Sequence, residues 1–168
     1  FVTGPASEPP PLGVSVVRVE TGRQMLDAVK AALPADAAVF AAAVADWRVD
    51  AESGTKIKKR GSDAGLNLSL AENPDILATV SRMREDRPGL VVGFAAETDD
   101  VIGNARAKLK RKKCDWIVAN DVSPETGIMG GDENAVTVID RAGEEAWPRT
   151  SKEHVARRLA QRIADAIS

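Results

Sequence analysis

The chain has 168 residues, 43% of them apolar, and carries 23 Lys plus Arg against 25 Asp plus Glu for a formal net charge of −2. That size suits one domain with a real core, and the near-neutral balance excludes the broad basic footprint of a nucleic-acid-binding domain. A single cysteine, Cys114, excludes an internal disulfide framework, and a single histidine, His154, excludes a multi-histidine metal site.

In chain order, Phe1-Val2-Thr3-Gly4-Pro5 reads as the end of a strand entering a turn, so earlier elements of the domain are expected before Phe1. Residues 3–13 hold Pro5, Pro9, Pro10 and Pro11. They form a loop, because proline denies both a helix interior and a central ladder. Residues 14–19 are β-branched and predict a strand. Thr21 caps a helix with Met25, Leu26, Val29 and Leu33 on one face, ended by Pro34. Residues 37–45 are a nearly continuous apolar run, predicting a long buried strand that stops at Asp46 and Trp47.

Residues 56–59 and 66–70 predict a hairpin around 61–65. In its second arm Leu66, Leu68 and Leu70 alternate with Asn67 and Ser69, the period of a half-buried strand. Asn73 is the predicted N-cap of the next helix, with Pro74 at its first position and Asp75 in its first turn. Ile76, Leu77, Val80 and Met83 are its apolar face. Residues 90–94 predict a short buried strand.

Thr98 or Asp99 caps a helix that turns Val101, Ile102, Ala105 and Leu109 to the core and Arg106, Lys108, Lys110, Arg111, Lys112 and Lys113 outward. Residues 116–119 predict a strand ending at Asn120-Asp121, and 124–133 a polar loop. A late hairpin is read at 135–139 and 145–147. Thr150 and Glu153 give a capping-box signature for a final helix striped by Val155, Leu159, Ile163 and Ile167. Strands alternating with helices, some too apolar for one-sided burial, predict an α/β fold with a mostly parallel sheet covered on both faces. No apolar run approaches the roughly 18 residues of a membrane span, no signal peptide is visible, and a reducing cytoplasmic setting is the default.

Candidate chemistry gathers at strand ends, where open α/β sheets bind ligands. Asp46, then Phe94 with Glu97, then Asn120 and Asp121 are expected on one sheet edge. Lys108 and Lys112 lie four apart on one helix face, where a bound anion relieves their mutual repulsion. Lys56, Lys58 and Lys59 follow Asp46 closely and suit an anionic ligand. The competing reading of those lysines is an edge strand protected against aggregation, and that of the helix face is simple solvation. The helix start at 73–76 offers amides to an anion, or is only a good cap. Cys114 reads as inert and His154 as surface. There is no G-x-G-x-x-G in the chain.

Six stretches in this order, AAAVADWR at 41–48, KIKK at 56–59, NPDI at 73–76, VGFAAET at 92–98, ARAKLKRK at 105–112 and ANDVS at 119–123, resemble bacterial phosphopantothenoylcysteine synthetase. That is the ligase half of the bifunctional flavoprotein of coenzyme A biosynthesis, and the resemblance covers nearly the whole chain. It implies a Rossmann-like three-layer α/β sandwich whose antiparallel hairpins, at 56–70 and 135–147, serve a homodimer. It implies a single ligase domain over 1–168 without its first βα segment, so the family's glycine-rich loop and acyl-cytidylate asparagine have no counterpart here, and a chain truncated there is expected to show little turnover.

The implied reaction joins 4′-phosphopantothenate to L-cysteine with CTP and a magnesium ion, while FMN belongs to a fused decarboxylase absent from these residues. By the same resemblance Lys56 is catalytic. CTP contacts fall to Ala43, Asp46, Lys56, Asn73, Pro74, Asp75, Ile76, Phe94, Lys108 and Lys112, with Asp46 on the cytosine amino edge, Phe94 packed on the nucleotide and the last two lysines on the triphosphate. Residues for a metal are not assigned. The other readings are an NAD(P)-dependent reductase, against which the missing fingerprint argues, and a non-catalytic nucleotide-binding or dimerisation fragment.

Overall fold

The computed structural model describes residues 1–6, 8–50, 67–128 and 130–168. The strands are β1 (Val2–Thr3), β2 (Val17–Arg18), β3 (Ala37–Phe40), β4 (Trp47–Val49), β5 (Leu70–Glu72), β6 (Leu90–Glu97), β7 (Trp116–Asp121), β8 (Glu133–Ile139) and β9 (Glu144–Ser151). The helices are α1 (Gly22–Ala31), α2 (Ile76–Ser81), α3 (Val101–Lys112) and α4 (Lys152–Ile167).

A five-stranded sheet in the order β3-β6-β7-β8-β9 is the frame. β3, β6 and β7 run parallel, and β8 and β9 close it as an antiparallel hairpin. β6 lies inside the sheet and is buried from Leu90 to Gly93, as its unbroken apolar run demands. Alternate residues of that strand serve two cores. Val91 and Ala95 pack with Val80 of α2, Ala105 of α3, Ile117 and Ala119. Leu90 and Val92 pack on the other face with Val118, Val138, Trp147 and the α4 residues Val155 and Leu159. Helix, sheet, helix is thus the layering, a Rossmann-like α/β sandwich. Each fully buried Val or Ile contributes about 1.5–3 kcal/mol relative to exposure.

Two small sheets stand apart from this frame: β1 with β2, parallel, and β4 with β5, antiparallel. β1 and β3 both border one deep cleft. β3, expected to be buried, is partly open there, and Val39 is 48% exposed.

Several boundaries differ from the sequence expectations. The apolar run 37–45 forms a strand only to Phe40, because the Val44 amide donates to the Ala42 carbonyl at 3.2 Å in a tight turn. The strand expected at 14–19 is paired only at Val17–Arg18. Of the expected 56–70 hairpin, most lies outside the described residues. Its last residue belongs to β5, which pairs with β4, a strand the sequence pattern does not predict. Leu68 and Leu70 are 55% and 56% exposed, so the alternation there does not mark a half-buried face.

Caps also moved. Thr21 caps α1 as expected, in a box closed by Gln24. Asp75, not Asn73, caps α2 by accepting from the Ala78 amide at 2.9 Å. Asp100, rather than Thr98 or Asp99, caps α3. Ser151, one residue beyond Thr150, caps α4 by accepting from the His154 amide.

Candidate active site

The deep cleft, about 640 Å³, lies at the carboxyl end of β3 and β6. Its walls include Asp46, Asn73, Pro74, Asp75, Ile76, Phe94, Lys108 and Lys112. Eight of the residues expected to hold a nucleotide are therefore together. Ala43 faces instead an adjoining cleft of about 890 Å³ that also reaches Thr21, Arg23, Arg48 and Asn73. Lys56, the expected catalytic group, lies outside the described residues.

Each wall has a local cause. The small residues Ala41, Ala42 and Ala45 leave β3 in a turn that keeps side-chain bulk out of the cleft. Asn73 fixes the far end of that turn: its backbone amide donates to the Asp46 carbonyl at 2.7 Å and its side-chain Nδ2 to the Ala45 carbonyl at 2.8 Å. Phe94 is carried on the inner strand β6 and packs partly into the second core, which makes it a rigid apolar wall. Lys108 and Lys112 project from α3, one turn apart.

Lys112 is not simply open to a ligand. Its Nζ donates to Asp75 Oδ2, and Asp75 Oδ1 meanwhile caps α2. Burial pushes the Asp75 carboxyl up. The hydrogen bonds from Lys112 and the Ala78 amide, with the charges of Lys112 and Arg111, outweigh it and leave the group below its ordinary value of 3.8. The start of α2 is thus partly occupied by its own carboxylate, contrary to the picture of a helix start open to an anion.

The third strand end does not join. Neither Glu97, Asn120 nor Asp121 lines the cleft. Asp121 Oδ1 accepts from the Ser123 amide at 2.8 Å, and hydrogen bonds from Ser123 hold its carboxyl below the usual range. It shapes the turn after β7. Arg48, which sequence reading passed over, spans the β4–β5 ribbon by donating to the Glu72 carbonyl and reaches the adjoining cleft. Its only sequence signal is its place two residues after Asp46. Cys114 is buried, and burial pushes its thiol up to about 11; it is no nucleophile. His154 is exposed on α4. Among the described residues no group of three His, Cys, Asp or Glu is placed to hold a metal ion, and no helix is long and apolar enough to cross a membrane.

A cleft at the strand ends, with an apolar ring, a carboxylate and two lysines, has the parts of a nucleotide site, and known proteins share the frame. The chain is 41% identical over 164 residues to the coenzyme A biosynthesis bifunctional protein CoaBC of Vibrio vulnificus strain YJ016, covering 97% of this chain and 41% of that protein. It is 39% identical over 165 residues to the protein of the same name from Escherichia coli strain K12, covering 97% of this chain and 40% of that protein. The chain thus spans about two fifths of the length of these curated relatives.

A crystal structure of the C-terminal domain of CoaBC superposes with a TM-score of 0.74 at 33% identity, covering 96% of this chain and 70% of that one. A Cab2 variant in complex with phosphopantothenate-cysteine, at 18% identity and a TM-score of 0.63, shares the fold. Residues 1–167 match the family described as the DNA/pantothenate metabolism flavoprotein C-terminal domain, and the chain belongs to that family.

Proposed function

We propose that this domain is a phosphopantothenate–cysteine ligase of coenzyme A biosynthesis. In the first step a carboxylate oxygen of 4′-phosphopantothenate attacks the α-phosphorus of CTP, forming the acyl-cytidylate as the bond to pyrophosphate breaks. In the second the amine of L-cysteine attacks the acyl carbon, the bond to CMP breaks, and the amine gives up a proton. The observation that carries this reading is the single cleft collecting Asp46, Phe94, Lys108 and Lys112.

The residues divide the work. Asp46 accepts from the cytosine amino group, Phe94 packs against the nucleotide, and Lys108 and Lys112 take phosphate oxygens through charge-assisted bonds. Asn73 to Ile76 form the wall opposite. Ala43, which faces the adjoining cleft, is a further CTP contact in this reading. Lys56 serves the developing charge in both transfers. A magnesium ion would enter on the triphosphate, since it is commonly held through substrate phosphates rather than an all-protein cage. FMN is assigned to the decarboxylase part of the bifunctional relatives. The same reading includes a homodimer, supported by Trp47 and Leu70, 55% and 56% exposed on the β4–β5 ribbon, and a cytoplasmic setting.

The test is pyrophosphate release, with CTP, phosphopantothenate and cysteine, by the protein that carries this domain together with the βα segment the family places before it. Release is expected to require both CTP and phosphopantothenate, and CMP to appear only when cysteine is added. Binding of NADPH in place of CTP, or no pyrophosphate from the full set, overturns the reading.

A further inference from the structure

Two lysines and two aspartates face the cleft: Lys108 and Lys112, Asp46 and Asp75. Asp75 and Lys112 are bonded to each other. The Asp75 carboxylate is fixed at both ends of its own geometry, because Oδ1 caps α2 and Oδ2 meets Lys112. Lys112 is the movable partner. Its ammonium sits at the end of a flexible four-carbon stem with three donors, and its side chain is only 17% exposed.

We propose that Asp75 is an internal counter-ion that competes with bound phosphate for Lys112, weakening polyphosphate binding and hastening the departure of pyrophosphate. This rests on the reading of the cleft as a triphosphate site. Asp75 takes one of the three donors of the Lys112 ammonium and holds it beside a carboxylate. A polyphosphate arriving at Lys112 must draw the ammonium from the carboxylate or share it, with a fixed negative charge beside it. The cost recurs for every anion that uses Lys112, and it is returned when the anion leaves and the Asp75–Lys112 pair closes again. The device turns a site built for tight anion binding into one that turns over.

Asp75→Asn separates the two roles of the carboxylate. Asparagine caps about as well as aspartate and keeps an oxygen for the Ala78 amide, but it lacks the charge. Calorimetry with inorganic triphosphate and with CTP is expected to show binding tighter by about two- to fivefold in the variant, the scale of a partly exposed ion pair. In turnover, KM for CTP falls and inhibition by pyrophosphate strengthens, with the thermal midpoint nearly unchanged. In a Lys112→Gln background the same substitution has a smaller effect on binding, because only the direct repulsion of the anion is then relieved. This double cycle also holds if the single variant loses stability, because the comparison is made between two Lys112→Gln proteins as well.

Weaker or unchanged triphosphate binding in Asp75→Asn overturns the proposal, as does an equal gain in the Lys112→Gln background. Tighter inorganic triphosphate with no pyrophosphate release from CTP keeps the counter-ion and removes the ligase reading. Pyrophosphate release with no Asp75 effect does the reverse.

Discussion

Asn73 donates from its side-chain Nδ2 to the Ala45 carbonyl at 2.8 Å, across 28 residues of chain. With its backbone bond to the Asp46 carbonyl at 2.7 Å, this bond makes one residue the clamp between the β3–β4 connection bearing Asp46 and the wall bearing Asp75. Asn73→Ala removes the side-chain half of the clamp. It is expected to cost about 0.5–1.5 kcal/mol by urea denaturation and to raise KM for CTP more than it lowers kcat. A kcat effect alone would show that the clamp does not place the base-reading group.

Asp46→Asn tests the base directly. Cytosine presents an amino donor where uracil presents a carbonyl acceptor, so an amide in place of the carboxylate can donate to uracil. The variant is expected to lose CTP preference by about 1–3 kcal/mol, the scale of one good base contact, with UTP now accepted. Competition assays between CTP and UTP measure it, and unchanged preference removes Asp46 from the base.

For Lys56→Ala, CTP binding is expected to persist while turnover falls by about 10²–10³-fold, as for the loss of one donor to a developing oxyanion. Calorimetry and pyrophosphate release, run side by side, separate the two. Turnover equal to that of the parent chain contradicts the catalytic role.

Gly93 sits in β6 beneath α2. A Cβ there would lie 2.5 Å from Leu77 Cδ2 and 3.1 Å from Ile117 Cδ1. Gly93→Ala is expected to cost about 1–3 kcal/mol by overpacking. Shortening Leu77 to alanine in the same chain relieves part of the clash, so the two changes are expected to cost less together than their sum. Strict additivity in chemical denaturation would count against the contact.

Cys114 supplies a pH dependence. Burial raises its thiol from 9.0 to about 11, so the folded chain holds the proton more tightly than the unfolded chain. Its contribution to stability is complete below pH 9.0 and is lost as pH rises towards about 11. Urea midpoints of the parent are expected to fall across that window more steeply than those of Cys114→Ala. Parallel profiles contradict the assignment.

The frame was legible where periodicity and burial agree. β6, α3, β7 and the α4 stripe of Val155 and Leu159 lie where their apolar patterns place them, because each packs into a core. What was not legible depends on long-range partners. Asn73-Pro74 reads as cap and first position until the Ala45 carbonyl claims the Asn73 side chain and leaves the cap to Asp75. The run 37–45 has one composition throughout, yet only 37–40 meet a neighbouring strand in β6. The ribbon β4–β5 is too short to carry a period. In the site, Asp46 and Phe94 were expected together from the strand ends, the α3 lysines were tied to them only by the family resemblance, and the Asp75–Lys112 bond left no trace in either local sequence.

The double duty of β6 has a consequence for how the molecule comes apart. Its residues anchor both cores, and its last turn outward carries Phe94 into the cleft. The β4–β5 ribbon that borders Asp46 is a two-stranded sheet, a structure of marginal stability by itself. Among the described residues one wall of the cleft therefore belongs to a strand that anchors both cores, while the segment bearing Asp46 leads into a small ribbon with few partners. Warming is expected to loosen the ribbon first, so on the nucleotide-site reading ligand is lost from a molecule whose sheet is still intact, and loss of ligand and loss of fold become separate events.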